Sequence, residues 1–159
     1  MLLVDAWAAL VRGLDPPLLV APTPSRSRTS AELALNVLNP FDLMPAAWET
    51  GDMPWYPEHD GERAAALSHA ELVDWSSGVA IGWSGFVGSS TETLAQPARE
   101  IDSPRGVFEW GPLISAQRWH AAFHYRQVIA FLEEEAVWLP PGVVPLAELV
   151  TVDLPEDVF

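Results

Sequence analysis

The sequence predicts an all-α fold, four helices packed as a bundle, and three observations predict it. Apolar residues recur every three or four positions in four separate stretches, the spacing that lines one face of a helix. Proline- and glycine-punctuated connections separate those stretches. Nearly half of the 159 residues are apolar and eight are tryptophan, enough to enclose one core.

The first stretch, residues 2–14, places Leu3, Trp7, Leu10 and Leu14 on one face. Pro16 and Pro17 stop it, because proline supplies no amide donor and disfavours helix before it. Residues 21–28 form a polar connection. The second helix begins at a capping box, Thr29 with Glu32, in which each side chain satisfies an orphan amide. Leu33, Val37, Phe41, Met44 and Trp48 follow at helical spacing. Pro40 cannot donate to the carbonyl of Asn36, so a kink is expected near that turn.

Residues 49–61 read as a loop, and a third helix spans 62–87, capped by Asp60. Its apolar side is Leu67, Leu72, Val73, Trp75, Val79, Trp83 and Phe86. Gly78, Gly82 and Gly85 share another face at about 1 kcal/mol each relative to alanine. A close helix–helix approach, within the bundle or across a dimer, would offset that cost; the alternative is a bent or frayed end. Residues 91–109 form a polar connection. The fourth helix opens at Gly111-Pro112, with proline suited to a first turn, and runs to residue 137. Pro140, Pro141 and Pro145 then end the pattern. One domain is expected, a bundle over 1–137 with a proline-rich, extended tail over 138–159 laid on it.

Twenty-two acidic residues against eight basic ones give a formal charge of −14. A polyanionic surface repels phosphates, which argues against nucleic acid and anionic membranes as partners. No cysteine is present, so disulfides, thiol nucleophiles and thiolate metal sites are excluded. The apolar run at the N-terminus carries Asp5 and Arg12 and lacks a basic flank, and no stretch is long enough to span a bilayer. The expected setting is cytoplasmic.

The candidate chemistry lies in Trp119-His120-Ala121-Ala122-Phe123-His124. Histidines at i and i+4 on a helix point the same way, one turn apart, and two such imidazoles can ligate one metal ion. They share a stripe with Leu113, Gln117, Val128 and Phe131, so they should face inward or line a cleft. A pair of core-edge histidines bonded to carbonyls or carboxylates would show the same spacing. Other patterns are weaker. The glycine-rich run at residues 84–89 has no preceding strand and no following lysine, which argues against a phosphate loop. Glu133, Glu134 and Glu135 read as a solvated helix end.

The pattern RxRTxxELAxN at residues 26–36, followed by WHxxFHYRQ at residues 119–127, resembles the DinB/YfiT-like superfamily. That resemblance implies a four-helix bundle with up-down-down-up topology, often a homodimer. It also implies a divalent metal, nickel or zinc, held by three histidines, and small-molecule chemistry such as thiol-dependent transfer or hydrolysis. Its last-helix pair matches His120 and His124. Its second-helix histidine falls at Asn36, whose amide oxygen is a poor substitute for imidazole toward these ions. The expected metal set is therefore His120, His124 and Asn36, or no metal at all, with Asn36 hydrogen-bonded to an imidazole. His69 is a further candidate on the third helix, and His59 is expected in solvent. Two functions follow: a metal-dependent hydrolase or transferase with a degenerate site, or a non-catalytic dimeric binding or scaffold bundle that has lost its metal. An acidic bundle that mimics nucleic acid rests on charge alone.

Overall fold

A computed structural model describes residues 3–23, 28–89, 96–135, 139–140 and 143–144. The described chain is mostly helical, with six helices: α1 Leu3–Gly13, α2 Pro16–Val20, α3 Ser30–Thr50, α4 Asp60–Ala66, α5 His69–Ser89 and α6 Trp110–Glu134. A 3₁₀ turn at Pro57–His59 leads into α4. The strands β1, Glu100–Ile101, and β2, Phe108–Glu109, pair antiparallel with Glu100 opposite Glu109.

The start of α3 is the expected capping box: the Thr29 side chain accepts from the Glu32 amide at 3.1 Å, and the Thr29 amide donates to Glu32 at 2.7 Å. Gly51 closes the helix at φ 81°, a left-handed conformation that suits a residue without Cβ. Between these ends α3 runs unbroken through Pro40 and Pro45.

Three expectations need correction. Pro16 and Pro17 do not only stop α1; they open the short α2, where a missing amide costs nothing because the first helical amides have no partner. The single third helix is two, parted at Leu67 and Ser68, because Ser68 and Glu71 form a second capping box. Asp60 does not cap a helix; it is the first residue of α4 and lies buried, 4% exposed, with its carboxylate turned inward. The connection over 91–109 also holds the small hairpin, and its residues 91–95 lie outside the described residues, as does most of the tail over 138–159.

α1 packs against α3, α5 and α6, and α3 packs against α5 and α6. Trp7, Leu10, Leu33, Leu38, Met44, Tyr125 and Leu132 are almost wholly excluded from water. The Trp7 indole donates to the Ala121 carbonyl at 3.0 Å and its ring meets Tyr125 edge-on, which registers α1 on α6. Burial pushes the Tyr125 hydroxyl up to about 12, so it keeps its proton; it donates to the Val144 carbonyl and accepts from the Val144 amide. Pro140 sits so close to Gly13 that a Cβ there would overlap it. The described tail residues thus lie on α1 and α6. Gly78, Gly82 and Gly85 have open space around them and are exposed, so no close approach within the described residues offsets their cost. Among the described residues no helix is long and apolar enough to cross a membrane.

Candidate functional site

The helical spacing of α6 brings His120 and His124 together, with ring centroids 4.6 Å apart and planes nearly perpendicular. His124 is buried and His120 partly so, as expected for an inward stripe. Nδ1 of His124 lies 2.6 Å from Oε1 of Gln127. An amide oxygen only accepts, so Nδ1 donates. Trp55, from the loop after α3, faces His120 at 6.3 Å between centroids, and the Arg105 guanidinium lies over the Trp55 ring at 5.2 Å. Arg105 comes from the turn of the small hairpin, so three separate parts of the chain meet at this imidazole.

Asn36 is buried on α3, but its amide bonds to neither imidazole. Its Nδ2 donates to Asp60 at 3.0 Å, and its Oδ1 accepts from Arg28 across a longer 3.5 Å. A carboxylate and a guanidinium are stronger partners for an amide than a neutral ring, which accounts for the difference from the expected Asn–His bond. The same carboxylate accepts from Asn39 at 3.5 Å, and Arg63 donates to Asn39 at 2.8 Å. Arg63 also lies over the Trp75 ring. Two arginines and two asparagines therefore surround one buried carboxylate, and the asparagines stand between it and the charges.

Burial drives the electrostatics. Desolvation raises the Asp60 carboxyl above its ordinary value, against the opposing pull of Asn36, Arg63, Asn39 and Arg28. Desolvation pushes His120 down to about 4, and His124, Arg28 and Arg105 push in the same direction. The charge of Arg28, which bonds Asn36, bears on both Asp60 and His120.

That position decides whether the residues fit the divalent ion that the resemblance implies. The Asn36 oxygen, the expected third ligand, is already bonded to a permanent cation. No group of three His, Asp or Glu side chains suited to a metal occurs among the described residues. Two guanidiniums bearing on His120 repel a second cation, so the set does not fit zinc or nickel. His69 does not join the cluster, although its Nε2 is buried without a partner. His59 is exposed and stacks on Tyr56.

Arg28, Asp60, Trp55 and Arg105 were not foreseen as site residues. One signal was readable: Asn36 and Asn39, three apart on one helix, put two amides on one face, and the buried amide of Asn36 needs hydrogen-bond partners. Which charge supplies it depends on loops that periodicity does not place. The chain matches no family model, no curated protein and no solved structure.

Proposed function

We propose that the chain is a DinB-like four-helix bundle whose histidine pocket binds a small ligand, with Arg28 standing where the resemblance would put a divalent metal. One observation carries the reading: the oxygen of Asn36, the expected third ligand, is bonded to Arg28. The packing of α1 on α5 and α6, and of α3 on the same two helices, supports a bundle of these four. The homodimer belongs to the same resemblance, and the cytoplasmic setting to the charge and hydropathy of the sequence.

The test is metal analysis of untagged protein incubated with a small excess of zinc or nickel and then dialysed. The wild type is expected to retain far less than one ion per chain. The double variant Arg28→Ala, Asn36→His removes the cation and restores a third imidazole, and it should bind at least about tenfold more tightly. Stoichiometric metal on the wild type, lost in His120→Ala, would overturn the reading in favour of a metal-dependent hydrolase or transferase.

A further inference from the structure

We infer that residues 54–67 form a gate over His120, a strap held shut by two side-chain pegs, Trp55 and Asp60, that opens as one unit and uncovers the imidazole. The ligand it admits rests on the reading above; the opening itself does not.

Both ends of the strap are fixed by bonds outside it. Before it, the Asp102 amide donates to the Gly51 carbonyl and the Met53 amide to the Asp102 carbonyl, both at 2.8 Å. After it, the Ser68–Glu71 capping box starts α5 separately. Leu67 is extended, so α4 and α5 are not one continuous helix.

Between these ends little holds the strap down. Of residues 54–71 only Trp55 and Asp60 are buried, and Ala64 and Leu67 are partly covered. Arg63 adds a bond to Asn39 at 2.8 Å and lies 4.6 Å over the Trp75 ring. A segment with so few buried apolar contacts opens locally, at a lower free energy than global unfolding. Each peg also carries a polar cost while seated. The Trp55 indole N–H is buried without an acceptor, and the Asp60 carboxylate is 4% exposed. Water satisfies both on opening, which an apolar plug would not gain.

Trp55 makes the opening matter to the site. Its ring lies 6.3 Å from His120 between centroids, and His120 lies 4.6 Å from His124. Asp60, on the same strap, is bonded to Asn36 at 3.0 Å, so it can be removed to loosen Trp55 while both histidines remain.

The experiment treats the full chain at pH 7 with diethyl pyrocarbonate, which acylates neutral imidazole, and reads His120 by mass spectrometry beside backbone hydrogen exchange. His120 is expected to react at least about tenfold more slowly than N-acetylhistidine, because only the open form reacts. In urea below the unfolding transition, His120 acylation and exchange of the α4 amides should share one shallow slope, and α6 exchange should show the steep slope of global unfolding. Asp60→Ala should raise acylation and α4 exchange by the same factor, about tenfold. Arg63→Ala takes its place if that variant does not fold, and the urea slopes need no variant. A His120 as reactive as N-acetylhistidine overturns the gate, as does acylation with the α6 slope or a loosened α4 that leaves acylation unchanged. Stoichiometric zinc on the wild type overturns the proposed function and leaves the slopes of the metal-free chain as they are.

Discussion

His120 is held as a neutral ring, and that fixes the sign of its contribution to stability in acid. Its ordinary value is 6.5 and its folded value about 4, so the unfolded chain binds the proton more tightly. Stability is therefore full above about pH 6.5 and falls as the pH drops toward 4, by at most on the order of 3 kcal/mol. Asp60, shifted up, acts with the opposite sign, in a window that runs upward from its ordinary 3.8. Urea midpoints measured at pH 7 and pH 4.5 should differ in the wild type, and His120→Gln should shrink that difference. An equal drop in the variant would assign the acid sensitivity to other groups. The pairing of His120 with His124 was legible because helical spacing alone dictates it. The partners of Asn36 were not, since Arg28 precedes the helix cap and Asp60 lies 24 residues beyond the amide.

Among the elements, α5 shows both what a pattern reveals and what it hides. The apolar recurrence runs on through Leu67 and Leu72, so it gives no sign of a break. The interruption was written in Ser68 and Glu71, the same polar signature that correctly placed α3 at Thr29 and Glu32. Periodicity records burial, whereas caps record hydrogen bonds, and only the second marks a boundary. The exposed glycines of α5 give a direct test. Nothing lies within 4 Å of a Cβ built at Gly78, Gly82 or Gly85, so alanine at each should stabilise the chain by about 0.5–1 kcal/mol. Thermal melts of the three single variants check this. A loss of stability instead would mean that another surface covers that face in solution.

For the molecule as a whole, a charge of −14 on 159 residues imposes self-repulsion that favours expanded states. Raising sodium chloride from about 10 mM to 150 mM, which shortens the screening length from roughly 30 Å to 8 Å, should raise the melting temperature. A melting temperature that falls with salt would mean that attractive pairs outweigh the repulsion. The helical class was legible because four amphipathic stretches leave little alternative. The hairpin was not, since two-residue strands are shorter than any alternation that could announce them. One contact in the core also sets a timetable for biosynthesis. The Trp7 indole finds its acceptor 114 residues later. A ribosome adding roughly 5–20 residues per second needs roughly 6 to 23 s to cover that span. During that interval α1 can pack only on α3 and α5 as they emerge, and the strip that seats α6 stays uncovered until the last helix leaves the ribosome.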